Sequence, residues 1–114
     1  MASCLFCKIL NKETPAKTVF EDPLCLAFED INPKAPTHIL VIPKKHIDSL
    51  DRMLEEDVST LGHLLLVARN LAKDRGLHQS GYRTVINTGV DAGQSVLHIH
   101  LHLLGGRLLG WPPG

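Results

Sequence analysis

One segment near the C-terminus, residues 95–104, constrains the fold of this chain more than any other. Histidines and apolar residues alternate along it, with His98, His100 and His102 separated by single aliphatic residues. Successive side chains of a β-strand point to opposite faces, so the three imidazoles would share one face and the aliphatic side chains the other. We therefore predict a strand with one face in the core and the other available for chemistry.

Three adjacent imidazoles suit proton transfer, nucleophilic attack or metal binding, because each titrates near neutral pH and is costly to bury alone. One alternative is a hydrolytic zinc site, with three histidine ligands and an open fourth position. Another is attack by one imidazole on phosphorus, which requires an anion cradle beside it. Gly93, Gln94 and Ser95 stand directly before the strand and could supply backbone, amide and hydroxyl donors. The loop favours the phosphate alternative over zinc hydrolysis and over a strand that is merely rich in histidine.

The chain's size and charge favour one domain that acts on a small molecule. Its 114 residues, of which 44% are hydrophobic, suit a single globular domain over residues 1–114. Lysine plus arginine and aspartate plus glutamate balance at 12 each, so the overall charge indicates neither a nucleic-acid partner nor a membrane surface.

The N-terminal residues lack the long apolar run of a secretory signal or a membrane span, so we expect a cytoplasmic protein. In a reducing compartment Cys4, Cys7 and Cys25 are expected to be thiols or metal ligands rather than disulfide halves. Cys25 lies inside an apolar strand and is interpreted as a small buried residue. The two-residue spacing of Cys4 and Cys7 would let both thiolates reach one ion.

Apolar periodicity predicts an α+β fold, with a five-stranded antiparallel meander that the histidine strand closes and one long helix on the opposite face. A short helical turn is expected at residues 8–12. The other predicted strands are residues 18–21, 24–29, 38–43 and 82–87. Residues 38–43 are almost continuously apolar, which indicates a central strand buried on both faces.

The long helix is predicted over residues 55–75, with Gly76 as its left-handed cap. Its apolar stripe is expected to consist of Val58, Leu61, Leu65, Ala68 and Ala72. We interpret His63 and His78 as surface residues, and Lys44 and Lys45 as a solvated strand end.

Three blocks of sequence together resemble one known family. Residues 93–104 match the alternating signature of the histidine triad superfamily, residues 30–38 match its upstream segment, and residues 111–114 match its tail. The chain most resembles the Hint branch, the purine nucleoside phosphoramidases, and the similarity covers nearly its whole length. The resemblance implies a homodimer in which the two sheets join.

The resemblance also implies a mechanism for cleaving the P–N bond of purine nucleoside 5'-phosphoramidates, such as AMP-amines or adenylated lysine. His100 would attack the α-phosphorus and form a covalent nucleotidyl-histidine, while a backbone carbonyl of its own strand fixes its tautomer. His102, Gln94 and Ser95 would bind the phosphate oxygens, and Ser95 would help the amine depart. His98 completes the catalytic triad, and the chemistry itself requires no cofactor.

Nucleotide binding is implied for residues in both halves of the chain. Asp30 would accept hydrogen bonds from the ribose hydroxyls. Asn87 would contact sugar or phosphate, and Trp111 would lie on the leaving-group side. The purine slot would comprise Phe6, Ile9, Phe28 and Ile31, and the phosphate site Gly93, Gln94, Ser95, Val96, His100 and His102. Phe28 could instead be a residue of the core. For Phe6, Ile9 and Ile31 a purely structural role and purine binding are equal alternatives.

Some relatives with an N-terminal cysteine pair hold zinc, which implies a structural site on Cys4, Cys7, His46 and His98. The alternative is an unliganded, reduced pair. Two further alternatives for function are a nucleotide-binding regulatory protein with incidental hydrolysis and a zinc-dependent hydrolase that uses the three histidines.

Overall fold

The computed structural model describes residues 4–114. It contains three helices and five strands, with two short 3₁₀ turns before the long helix. The helices are α1 (Leu5–Leu10), α2 (Val58–Asp74) and α3 (Leu77–Ser80). The strands are β1 (Thr18–Glu21), β2 (Cys25–Glu29), β3 (Thr37–Pro43), β4 (Tyr82–Val85) and β5 (Leu101–Gly105).

The five strands form one antiparallel sheet in the order β1-β2-β3-β5-β4, which confirms the predicted α+β class. The predicted meander is wrong in one respect, because β5 lies between β3 and β4 instead of closing the sheet. After β3 the chain crosses over through α2 and leaves the position beside β3 empty. It then forms β4 one strand further out, and β5 later fills the gap between β3 and β4. The histidine segment thus lies beside β3, the central strand, whose residues are all buried.

The sheet separates two apolar clusters. Ile99, Leu101 and Leu103 pack in the larger cluster beneath α2, so the predicted alternation is confirmed. The smaller cluster, on the histidine side, is covered in part by α1 and contains Phe6, Ile9, Leu26, Phe28, Leu40 and Ile42. The histidine face is therefore partly enclosed and not an open sheet surface.

The predicted stripe of α2 is partly wrong. Ala68 and Ala72 are buried as predicted, and Leu61 packs partly buried against the core. Val58 and Leu65 are instead 62% and 50% exposed, and the further buried positions are Leu64, Val67 and Leu71. Apolar residues cover more than half of this helix, so periodicity alone did not select the inward face. The cap at Gly76 is confirmed by its φ of 73°.

Several predicted element ends also shift. The short helix begins at Leu5 and not at Lys8, because the Cys4 side chain caps it by accepting from the Cys7 N–H. Residues 55–57 form a 3₁₀ turn instead of the first turn of α2. There the Asp57 carboxylate accepts from the Leu54 N–H and from Lys45 Nζ, so Lys45 is not merely solvated. Across residues 4–114, no helix combines the length and apolarity needed to cross a bilayer.

Candidate active site and adjoining metal-ligand cluster

His100 lies directly before β5, which begins at Leu101, so the prediction that one strand carries all three histidines is wrong for His98 and His100. The side chain is 5% exposed, and its Nδ1 donates to the His98 carbonyl at 2.8 Å. A neutral imidazole with its proton on Nδ1 carries a lone pair on Nε2. In the neutral ring, His100 Nε2 is thus the nitrogen whose lone pair can attack.

His102 lies one pleat further, on β5, and pairs with a histidine to which the sequence analysis gave no role. Its Nδ1 is 2.9 Å from Nε2 of His38, the second residue of β3. Burial, followed by the neighbouring His100 and His38, lowers the pKa of His102 to about 4, so the ring is neutral at pH 7. His38 stands 64 positions away in the chain, and the only sequence signal for it was its place at the end of the 30–38 block.

Asp30 lies at the end of β2 beside the same pair of rings. Its Oδ2 is 3.4 Å from His38 Nε2, and its Oδ1 accepts from the Asn32 N–H in a tight turn. The carboxylate is 18% exposed, so one edge faces solvent. One atom each of Asp30, His38 and His102 lies within 4.8 Å of the other two.

The loop before the histidines is held by the Gln94 side chain. Its amide donates to the carbonyls of Asp48 at 2.7 Å and Val96 at 3.1 Å, while its oxygen accepts from the Gly89 N–H. Both amide hydrogens are occupied in this conformation, so donation from this amide to phosphate stays a prediction that would require the loop to rearrange. Gly93 has a φ of 83°, which lets the loop turn back on itself.

The donors that the loop does offer come from the next two residues. Among the described residues, the backbone N–H groups of Ser95 and Val96 donate to no acceptor. The Ser95 side chain is exposed, and Val96 is half-buried against the smaller apolar cluster. Two backbone donors and one hydroxyl are thus available at the start of the histidine segment.

The predicted purine-slot residues divide into two groups. Phe6 and Phe28 are buried and meet edge to face, with their ring centroids 5.7 Å apart, and Ile9 is buried beside them. Phe6 also contacts the His100 ring at 5.0 Å between centroids. Ile31 is fully exposed on the turn after β2, and the structure does not bring it to this cluster.

Two other predicted contacts lie further along the chain. Asn87 is half-buried, two residues beyond the end of β4, which is shorter than predicted. Trp111 is largely exposed and stacks on the Arg83 guanidinium at 5.7 Å. In the described part of the chain, the hydrogen bonds of the triad histidines involve neither residue.

Cys4, Cys7, His46 and His98 meet at one point, with their potential ligand atoms all within 4.8 Å of one another. His98 Nδ1 is 3.5 Å from Cys4 Sγ, 3.7 Å from Cys7 Sγ and 3.1 Å from His46 Nδ1. Cys7 Sγ is also 3.3 Å from His46 Nδ1. A tetrahedral zinc site would have edges of about 3.3 Å between nitrogens and about 3.6 Å between nitrogen and sulfur, so the residues fit the ion.

The outer hydrogen bonds of the two histidines support the same interpretation. His98 Nε2 donates to the Pro43 carbonyl at 2.9 Å, and His46 Nε2 donates to the Asp48 carboxylate at 2.6 Å. With both Nε2 atoms as donors, the neutral form of each ring has its lone pair on Nδ1, and the two Nδ1 atoms face each other at 3.1 Å. A cation between them would relieve this repulsion, and such outer partners are typical of zinc-bound histidines.

The three triad imidazoles do not converge on one ion. His98 points to the cysteine pair, His100 uses Nδ1 on a carbonyl, and His102 pairs with His38. Within residues 4–114, no cluster of potential metal ligands contains all three. The three-histidine zinc hydrolase is therefore wrong as an interpretation of this chain.

A cavity of about 480 Å³ joins the metal-ligand cluster to the phosphate loop. Its walls are formed by Cys4, Leu5, His46, Asp48, Ser95, Val96 and Leu97. The hydroxyl of Ser95 is therefore accessible from this side.

Comparison with known proteins agrees with this geometry. The HIT domain family matches residues 11–109 of the chain. An uncharacterized HIT-like protein of Synechococcus elongatus is 56% identical over 110 residues, covering 96% of each protein.

Solved structures give the same result. The HIT family hydrolase of Legionella pneumophila superposes with a TM-score of 0.96 at 54% identity, covering 98% of this chain and 100% of its own. The histidine triad nucleotide-binding protein of Candida albicans is 34% identical, with a TM-score of 0.82 and coverage of 96% and 83%. Because the family match spans most of the chain and the triad occupies one enclosed face, this chain belongs to the HIT family.

Proposed function

We propose that this chain is a nucleoside phosphoramidase of the Hint type, which hydrolyses the P–N bond of purine nucleoside 5'-phosphoramidates. The observation that carries the proposal is the hydrogen bond from His100 Nδ1 to the His98 carbonyl, which leaves Nε2 free to attack. The names of two relatives, a HIT family hydrolase and a histidine triad nucleotide-binding protein, are consistent with hydrolysis and with a nucleotide substrate.

In the first step, His100 Nε2 forms a bond to the α-phosphorus and the P–N bond to the amine breaks. The departing nitrogen takes a proton from the Ser95 hydroxyl. In the resulting nucleotidyl-imidazolium, the Nδ1–H still donates to the His98 carbonyl, and this hydrogen bond stabilises the positive ring. The backbone N–H groups of Ser95 and Val96 bind the phosphate oxygens as charge develops.

In the second step, water attacks the same phosphorus and the bond to His100 breaks. A proton from the water returns to Ser95, and the nucleoside monophosphate leaves. The cycle consumes one water and restores every protein group. No cofactor is required for these steps.

We place the nucleoside on the histidine side of the sheet, next to the smaller apolar cluster. Phe6 and Phe28, which are buried against each other, would form the floor of the purine slot, and the partly exposed Asp30 carboxylate can accept from the ribose hydroxyls. Ile31, Asn87 and Trp111 are proposed as peripheral contacts, since the first and third are exposed at the surface.

We further propose that Cys4, Cys7, His46 and His98 hold a structural zinc ion. Four protein ligands complete a tetrahedron and leave no open position, so the ion would tie the N-terminal segment to the sheet without taking part in the reaction. Burial and the adjacent Cys4 raise the pKa of Cys7, and a bound cation would be needed to keep both thiols ionised.

A homodimer is proposed from the exposed apolar side chains on α2 and from the free edge of β4 in the sheet. Val58, Leu65 and Leu66 are between 45% and 62% exposed on one helix. A second copy could cover this surface and pair with the β4 edge.

The alternative is a nucleotide-binding regulatory protein for which hydrolysis is incidental. Steady-state hydrolysis of adenosine 5'-phosphoramidate distinguishes the two. We expect sustained turnover that His100→Ala abolishes and that His78→Ala, on the exposed face of α3, leaves unchanged. Tight binding of AMP with no turnover above the His100→Ala background would instead favour the regulatory function.

A further inference from the structure

The hydrogen bonds around His38 determine which nitrogen of each ring carries a proton. The backbone N–H of Lys34 donates to His38 Nδ1 at 3.0 Å. A backbone N–H can only donate, so His38 Nδ1 must carry a lone pair, and the proton of the neutral ring is on Nε2. His38 is 5% exposed, and a flipped ring would leave the Lys34 N–H without this acceptor.

The same reasoning extends to His102. The His38 Nε2 proton faces His102 Nδ1 at 2.9 Å, so this atom of His102 must accept. The proton of neutral His102 is therefore on Nε2. The direction of donation runs from the Lys34 backbone, through both rings, into the site.

The end of this chain of hydrogen bonds is an unused donor. His102 Nε2 is buried and has no hydrogen-bond partner among the described residues. A buried N–H without an acceptor is costly, and an anionic phosphate oxygen would be a strong partner for it. This nitrogen cannot accept a proton in the tautomer that His38 imposes.

We propose that His38 is a positioning residue that fixes His102 in its Nε2–H tautomer, so that His102 serves as a dedicated donor to the substrate phosphate and not as a general base. The proposal rests on the proposed function for the identity of the ligand, but the tautomer itself is a property of the protein alone. Asp30 Oδ2, 3.4 Å from His38 Nε2, supports the same proton position.

One consequence separates the roles of the polar groups at the phosphorus. Ser95 loses its proton to the departing amine in the first step. His102 cannot supply a new proton to Ser95 and still keep its Nε2–H tautomer. The water of the second step must return its proton to Ser95. His102 contributes charge stabilisation only.

The direct test is ¹⁵N nuclear magnetic resonance of the imidazoles, in the full-length protein at neutral pH, alone and with AMP. We expect His102 to show a protonated Nε2 and an unprotonated Nδ1, and we expect AMP to shift the Nε2–H resonance more than the Nδ1 resonance. A protonated Nδ1 in the unliganded protein would overturn the proposal, whatever the catalytic result. The assignment needs no variant, so it does not depend on how substitutions affect folding.

Variants then test the consequence for catalysis. His38→Leu removes the donor to His102 and should let both tautomers of His102 appear, whereas His38→Gln places an amide N–H near the former Nε2 and should restore the Nε2–H form. Loss of one preorganised oxyanion donor costs roughly 10²–10³-fold in kcat, and we expect a loss of this size in His38→Leu and a recovery of at least tenfold in His38→Gln. The matched control is His63→Gln. It replaces a histidine that is hydrogen-bonded to Asp22, away from the site, and it should change neither the His102 tautomer nor kcat.

The outcomes distinguish this proposal from the proposed function. If His100→Ala leaves hydrolysis intact while His102 shows the Nε2–H tautomer, the nucleophile assignment fails and the positioning role stands. If His38→Leu keeps a pure Nε2–H tautomer and a kcat within threefold of the parent, the positioning role is wrong even though the hydrolase function stands.

Discussion

The backbone carbonyl of His98 accepts a hydrogen bond from His100 Nδ1 at 2.8 Å, while the imidazole of His98 points into the cysteine cluster. One residue therefore links the proposed structural metal to the proposed nucleophile. If the ion holds the His98 ring in place, it also holds the carbonyl that selects the reactive tautomer of His100. The metal would thus influence catalysis through geometry alone.

Zinc content is the first prediction. Protein purified without added metal should contain about one zinc per chain, and Cys7→Ser should reduce this to less than a tenth because a tetrahedral site loses one of its four ligands. Elemental analysis measures it, with Cys25→Ala as the matched control at a buried cysteine outside the cluster. Zinc below a tenth per chain in the parent, unchanged by Cys7→Ser, would mean that the cysteine pair is not a metal site.

Asp30 should affect binding of the ribose. We expect Asp30→Ala to weaken the affinity for AMP about ten- to a hundredfold, since a carboxylate that accepts from two hydroxyls contributes roughly 1.5–3 kcal/mol. Isothermal titration with AMP and with its 2',3'-dideoxy analogue provides the control, because the analogue should bind equally to both proteins. Equal affinity of both proteins for AMP would refute the role.

Gln94 is expected to act by shaping the loop. Gln94→Glu replaces the Nε2 amide group, which donates to the Asp48 and Val96 carbonyls, with a carboxylate oxygen that cannot donate. The loop should therefore open, and the N–H groups of Ser95 and Val96 should lose their alignment. Hydrogen exchange should accelerate across residues 89–96, and kcat/KM should fall by roughly tenfold or more, equivalent to at least one lost hydrogen bond. A lower kcat/KM with unchanged exchange would instead indicate that the side chain contacts the substrate directly.

The pair formed by Asp22 and His63 should make stability depend on acid pH. Burial of Asp22 opposes ionisation, but hydrogen bonds from His63 and from the N–H groups of Leu24 and Cys25 outweigh it and lower the pKa of Asp22 from 3.8 to about 2. A carboxyl with a lowered pKa in the folded state contributes stability above its unfolded pKa, and this contribution is lost as the pH falls from about 4 to 2.

Asp22→Asn tests this contribution. At pH 7 we expect the free energy of unfolding to fall by about 1–2 kcal/mol, a value reduced from the full linkage figure because the pair is partly exposed. Urea unfolding at several pH values should show the difference between parent and variant shrinking below pH 4. A difference that stays constant down to pH 2 would contradict the assignment.

The oligomeric state is a further prediction. Sedimentation at micromolar concentration should give the mass of two chains, and Leu65→Glu should shift the mass toward one chain because it places a charge in the covered apolar surface. Lys73→Glu, on the exposed end of the same helix, is the matched control for added negative charge. A single-chain mass for the parent protein would refute the dimer.

The sequence allowed the histidine face to be predicted because strand alternation is a local property. Ile99, Leu101 and Leu103 lie beneath α2 while the three histidines lie opposite, as the two-residue period requires. The same local pattern cannot show which strand lies beside which, so the insertion of β5 between β3 and β4 was missed.

The details of the site depend on contacts between distant positions. Gln94 bonds to a carbonyl 46 positions away, and His102 pairs with His38 across 64. Neither contact leaves a trace in spacing or composition. The spacing of Cys4 and Cys7 indicated possible metal binding, but the two histidines that meet them were implied only by family resemblance.

The most direct test of the account is to trap the covalent intermediate. Adenosine 5'-phosphoramidate is mixed with the protein, quenched in alkali within the first turnover and analysed by peptide mass spectrometry. We predict an adenylyl group on His100 in the parent protein and in His78→Ala, and no adduct with a loss of turnover of up to about 10⁶-fold in His100→Ala. An adenylyl group on another residue, or turnover of His100→Ala within tenfold of the parent, would contradict the account.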